Sequence, residues 1–144
     1  MAITQLSVFL ENRPGQLAAA VRCISEAGIN LRALSLADTK DFGLLRLIVD
    51  DVPKAKEVLS QRSIVLETPV IAARMDDVSG ALDRILQLLE TTQINVEYMY
   101  AFTGATAGSA YVVLRVDDAA AAAETALREG GVSLLTDTEM DEIV

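Results

Sequence analysis

A chain of 144 residues is long enough for one ordinary domain or two minimal ones, and a hydrophobic fraction of 51% can furnish a core. The formal net charge of -9 argues against a nucleic-acid footprint or an anionic-membrane surface, and reads most simply as a solubilising exterior. Histidine is absent and Cys23 is the single cysteine, which excludes histidine-dependent catalysis, a disulfide framework and a cysteine zinc site.

Ile3 to Leu10 alternates, with Leu6, Val8 and Leu10 on one face, and predicts a strand. Pro14 suits the first turn of a helix, in which Leu17, Val21 and Ile24 recur at helical spacing until Gly28 terminates it. Leu31 to Ala37 reads as a second strand, and the turn-rich Lys40-Asp41-Phe42-Gly43 leads into a third, Leu44 to Val49. Pro53 opens a second helix with Ala55, Val58 and Leu59 inward, and Ile64 to Glu67 closes the unit as a short strand. The order is βαββαβ, the ferredoxin-like arrangement. Right-handed crossovers then place both helices on one face of a four-stranded antiparallel sheet, an α+β fold.

The pattern is written twice. Asn12-Arg13-Pro14-Gly15-Gln16-Leu17, followed by Gly28-Ile29-Asn30-Leu31, returns sixty-five residues later as Asp77-Val78-Ser79-Gly80-Ala81-Leu82, followed by Gln93-Ile94-Asn95-Val96. Val70 to Met75 is the second copy's first strand, and Leu82, Ile85, Leu86 and Leu89 mark its first helix. Asn95 to Thr103 and Ser109 to Val116 form its hairpin, Ala119 to Ala123 begins its second helix, and Val132 to Leu135 ends it. Asp117-Asp118 matches Asp50-Asp51 at an offset of sixty-seven, so two residues were added near Thr103-Gly104-Ala105-Thr106-Ala107-Gly108. We read that insertion as a loop rather than a lid. The expected domains are 1–68 and 69–144. In the third strands Leu45, Leu47 and Val49 face the helices, leaving Arg46 and Ile48, and later Tyr111, Val113 and Arg115, on a bare reverse face that invites association.

Each copy places a glycine where a strand turns into a helix, a setting suited to a small anion or an amino acid. Backbone N–H groups around Gly15 or Gly80 can take a carboxylate, and asparagine offers both an acceptor for ammonium and a donor for carboxylate. Asp77 offers only acceptors when ionised, which favours the ammonium. Leu10, Leu17, Met75 and Leu82 could line a side-chain pocket. Asn12 and Asp77 are equally ordinary helix-capping residues, and Asn30 and Asn95 ordinary turn residues.

The stretch Glu11-Asn12-Arg13-Pro14-Gly15-Gln16-Leu17 with Gly28-Ile29-Asn30-Leu31 resembles an ACT domain, the small-molecule regulatory module of amino-acid metabolism, and in particular the serine-sensing domain of phosphoglycerate dehydrogenase. The resemblance covers the whole chain as two copies, strong in the first and weaker in the second. It implies a tandem ACT protein whose units pair side by side. It further implies that two asparagines hold the amino acid, and they match Asn12 and Asn30, then Asp77 and Asn95. Carried over, Asn12 works with Asn95 and Asp77 with Asn30, because ACT sheets take their ligand between a loop of one copy and the second strand of another. The dehydrogenase has a histidine where Leu10 and Met75 stand, so the contact to a serine hydroxyl is lost and an apolar or aromatic amino acid fits as well.

The expected ligand-binding set is therefore Leu10, Asn12, Pro14, Gly15, Gln16, Leu17, Asn30, Met75, Asp77, Gly80, Leu82 and Asn95. No catalytic residue, metal or cofactor is expected, so the protein is not read as an enzyme. Its expected partners are a free amino acid and a second copy of the chain. An alternative is a regulatory subunit of a separate biosynthetic enzyme, as in acetolactate synthase. The start, Met1-Ala2-Ile3-Thr4-Gln5, has no basic region and no long apolar run, and no segment is apolar for a membrane span, so a cytoplasmic location is expected.

Overall fold

The computed structural model describes residues 3–38, 41–103, 107–117 and 120–143. In chain order these form β1 (Ile3–Glu11), α1 (Gln16–Glu26), β2 (Leu31–Asp38), β3 (Phe42–Val49), α2 (Val52–Ser60) and β4 (Val65–Asp76). There follow α3 (Ala81–Thr91), β5 (Val96–Thr103), β6 (Ser109–Val116), α4 (Ala120–Glu129), β7 (Ser133–Leu134) and α5 (Asp137–Ile143). Two compact units divide the chain, Thr4–Thr68 and, with the start of the chain, Pro69–Val144.

Each unit repeats the expected βαββαβ order of elements, and the two sheets share one strand order. The first has β2-β3-β1-β4 and the second β5-β6-β4-β7, with β4 running through the boundary. Register follows from keeping one face apolar, because a one-residue slip would turn every core side chain outward. In the first unit Leu6, Val8 and Leu10 of β1 stand opposite Leu47, Leu45 and Gly43 of β3. They share a buried cluster with Ala20 and Ile24 of α1 and with Ala55 and Leu59 of α2. The second unit builds the same layer from Ile71, Ala73, Val112, Leu114 and Val116 against Ile85, Leu89, Ala123 and Leu127. Each large apolar side chain so buried contributes about 1.5–3 kcal/mol. In both units the second strand bulges at its start, between Leu31 and Ala33 and between Val96 and Tyr98.

Local chemistry sets the element ends. The Asp51 side chain caps α2 by accepting the Lys54 backbone N–H at 3.2 Å, and Pro53 occupies the first turn, where its missing N–H is harmless. The fourth strand of the first copy and the first strand of the second, expected as separate segments, are one strand. Between those segments Thr68-Pro69 is extended backbone that proline tolerates, and the Pro69 carbonyl accepts an N–H from Arg115 at 3.1 Å. The helix α5 was not expected. A reciprocal capping box starts it: the Thr136 backbone N–H donates to the Glu139 carboxylate and the Glu139 N–H to the Thr136 hydroxyl, each at 3.3 Å.

The face assignment holds, and much of the reverse face is buried in the chain. Leu45, Leu47 and Val49 do face the helices. On the reverse side, however, Ile48, Tyr111 and Val113 are all buried, and Tyr111 stacks on Phe102 at 5.3 Å between ring centroids. Exposed apolar area also includes Leu34 and Leu36, on the edge strand β2 of the first unit, each 50% exposed. The readings that placed Lys40 in a turn, an inserted loop at Gly104-Ala105-Thr106, and Asp118-Ala119 at a helix start fall outside the described residues.

Candidate functional site at the glycine loops

Each unit enters its first helix through a glycine in the left-handed region, Gly15 at φ 87° and Gly80 at φ 91°. A Cβ added at either position would meet nothing within 4 Å, so backbone conformation rather than space requires glycine there. The preceding turns have the same hydrogen bonds. The Arg13 N–H donates to the Glu11 carbonyl at 2.9 Å and the Val78 N–H to the Asp76 carbonyl at 2.9 Å. One turn later, the Gln16 N–H reaches the Arg13 carbonyl and the Ala81 N–H the Val78 carbonyl, each at 3.3 Å.

Two sequence readings change as a result. Pro14 lies in the turn before α1 rather than in its first turn, because the helix begins at Gln16. Asn12 and Asp77 are not helix caps: glycine holds both N-cap positions, and no side chain caps either helix. The positive end of each helix dipole therefore faces the loop without a side-chain cap, only the first N–H of each helix being taken by a loop carbonyl.

The asparagines are far apart within a unit. Pairing of Leu10 with Gly43 puts the Asn12 loop at the start of β3, whereas pairing of Leu31 with Val49 puts Asn30 at its far end. Six residues of strand separate them by about 20 Å. The second unit separates Asp77 from Asn95 in the same way, through Met75–Ala110 and Val96–Val116. All four side chains are exposed. Asn12 donates its backbone N–H to the Asp41 carbonyl at 3.5 Å, and Asp77 to the Gly108 carbonyl at 2.9 Å. Asn30 is clamped by Asp50, whose carboxylate accepts the Asn30 N–H at 3.0 Å and whose own N–H donates to the Asn30 carbonyl at 3.2 Å. Arg32 approaches the same carboxylate at 4.0 Å.

Three recesses accompany these loops. The largest, about 440 Å³, lies in the second unit and is lined by Met75 and Gly80 together with Arg84, Ile85, Gly131 and Val132. Its counterpart in the first unit holds only about 40 Å³ between Leu10, Gln16, Cys23, Arg62 and Ser63. A third, open hollow of about 320 Å³ includes Ile24, Gly28, Asn30 and Leu31. Leu17 and Leu82 do not line these recesses: Leu17 is 37% exposed, and Leu82 packs on the core of the second unit. Helical spacing marks both as apolar but does not distinguish pocket from core. Sequence reasoning passed over Asp50, Arg84 and Gly131; aligning the two copies position by position would have exposed the last two. Among the described residues no group of three or more Asp, Glu or Cys could hold a metal ion, and no helix is long and apolar enough to cross a membrane.

The model of the ACT domain pair matches residues 1–144. The chain belongs to the ACT domain pair family. Its fold resembles that of a protein from Bacteroides thetaiotaomicron in its crystal structure, 36% identical, covering 97% of this chain and 96% of that one at a TM-score of 0.90. The regulatory subunit of aspartate kinase from Thermus thermophilus, in its ligand-free form, shares the fold at 18% identity, covering 88% and 91% of the two chains at a TM-score of 0.65. The corresponding subunit from Thermus flavus does so at 17% identity, over 89% and 92%, with a TM-score of 0.62. A comparison with curated proteins finds no match. The two βαββαβ units are thus ACT units, and the chain is an ACT-domain regulatory protein.

Proposed function

We propose that this ACT pair senses a free amino acid, bound where a glycine loop of one unit meets the second strand of another. The separation of Asn12 from Asn30 along β3 carries this reading. Neither unit can bring both of its own side chains to one ligand, so a site that uses both kinds of contact is completed by another unit. The uncapped start of α1 or α3 supplies N–H groups for the α-carboxylate, and the asparagine of the second strand supplies the ammonium acceptor. Asn12 with Asn95, and Asp77 with Asn30, are the pairings this reading predicts. Calorimetry against the twenty amino acids tests it: one should bind, and Asn12→Ala and Asn95→Ala should weaken it. Absence of binding by the unaltered protein would sink the proposal.

A second reading, regulation of a separate biosynthetic enzyme by direct contact, is favoured by an exposed apolar strip on the first unit. Phe42 and Ile64 are 41% and 67% exposed. Phe9 joins them, its ring 6.0 Å from that of Phe42 and its N–H on the Ile64 carbonyl at 3.0 Å. Co-purification with a catalytic partner, lost in Ile64→Lys, would support this reading. A chain that purifies alone favours the freestanding sensor.

A further inference from the structure

The two ACT units differ most where their recesses differ, and matched core positions show how. Ala20 and Ile24 of α1 occupy the places of Ile85 and Leu89 of α3, so Ala19 corresponds to Arg84 and Cys23 to Leu88. Ala55 and Leu59 of α2 likewise match Ala123 and Leu127 of α4, which aligns Arg62-Ser63 with Gly130-Gly131. In the first unit the helix contributes a methyl group at Ala19 and the turn contributes Arg62 and Ser63, leaving about 40 Å³. In the second unit the arginine is on the helix and the turn is reduced to two glycines, leaving about 440 Å³. That volume falls within the range of about 300–1,000 Å³ typical of small-molecule sites.

Arg84 is held in place at this opening. Its Nη2 donates to the Gly130 carbonyl at 2.7 Å, and the same nitrogen lies 3.8 Å from where a Cβ of Gly131 would stand. Gly131, at φ 85°, turns the chain without a side chain beside the guanidinium. A guanidinium carries five N–H donors in a planar fork, and one of them meets Gly130, so the others suit a carboxylate. Met75, Ile85 and Val132 give the lining apolar surface, and Asp76, also on the lining, complements an ammonium. Arg74 lines the rim, but its guanidinium binds the Ser109 hydroxyl at 3.0 and 3.3 Å.

We propose that the recess of the second ACT unit binds the carboxylate of a small amino-acid ligand through Arg84, and that the smaller recess of the first unit, with Ala19 in the place of Arg84, does not. The identity of the ligand as an amino acid rests on the function proposed above; the carboxylate site does not.

Two measurements separate the claims. The first follows backbone amide signals of 15N-labelled protein during titration with sodium acetate, a plain carboxylate. Signals of Ala81, Gly131 and Val132 should shift in the unaltered protein and in Arg84→Lys but not in Arg84→Gln, whose dispersed spectrum reports an intact fold. Absence of those shifts in the unaltered protein, or their persistence in Arg84→Gln, overturns the site. The second is calorimetry with the amino acid that binds best. Arg84 is exposed, so its loss should cost only about tenfold in affinity, as expected for one charge-assisted hydrogen bond, while Arg62→Gln leaves affinity unchanged. Amino-acid binding indifferent to Arg84→Gln overturns the Arg84 role and leaves the sensing function standing. Acetate shifts without any amino-acid binding support the site and overturn the sensing function.

Discussion

At the residue scale, the glycines and Asp50 divide conformational work from contact work. Gly15 and Gly80 have open space around them, so substitution there reports backbone strain alone. Gly15→Ala should cost about 1–2 kcal/mol, the penalty of the left-handed region for a residue with a Cβ. Gly15→Asn should cost less, because asparagine visits that region more readily. Thermal unfolding of the two variants checks the difference; equal losses would show that something other than φ constrains the position. Asp50 acts on contacts instead. Its carboxylate holds the Asn30 N–H at 3.0 Å at the entrance to β2, so Asp50→Ala should expose that amide. Hydrogen exchange at Asn30 should accelerate clearly, with a stability loss of about 1 kcal/mol for the lost bond. Exchange unchanged at Asn30 would mean the clamp contributes nothing in solution.

At the element scale, strand alternation and helical spacing made the layer order of both ACT units legible. Leu6-Val8-Leu10 and Leu45-Leu47-Val49 were read on the correct face because alternation survives any error in strand ends. What failed had local causes. The strands expected over 64–67 and 70–75 are one because extended backbone accommodates Pro69, and α5 lies outside the expected elements although Thr136 and Glu139 form a recognisable capping box. The recess was illegible for a different reason: it arises from a swap between two elements, visible only when both copies are aligned. Leu88 and Gly130 illustrate it, since a Cβ on Gly130 would lie 2.5 Å from Leu88 Cδ1, whereas the first unit pairs a small Cys23 with a long Arg62. Gly130→Ala should therefore destabilise by about 1 kcal/mol, the low end for overpacking because the clash involves a side-chain tip. Leu88→Ala in the same chain should absorb the added methyl and make the pair non-additive. Additive losses in denaturant titrations would refute the swap.

At the scale of the whole molecule, the question is what a strongly acidic chain does with an apolar edge. Strand β2 spans eight residues, pairs with β3 on one side, and carries Leu34 and Leu36 at 50% exposure. Long apolar edges pair with other chains unless charge or proline blocks them, and residues 33 to 37 contain neither. Against association stands a charge of -9 on every copy, a repulsion that salt screens over about 10 Å at 0.1 M. Homodimerisation through β2 therefore predicts a particular salt response: light scattering should show a dimer whose dissociation constant falls as ionic strength rises. Leu34→Lys with Leu36→Lys should give a monomer with an unchanged circular dichroism spectrum, since surface changes of this kind move stability by only about 0.5 kcal/mol. A dimer that persists in that double variant, or one that salt dissociates, would place the contact on another surface held by ion pairs.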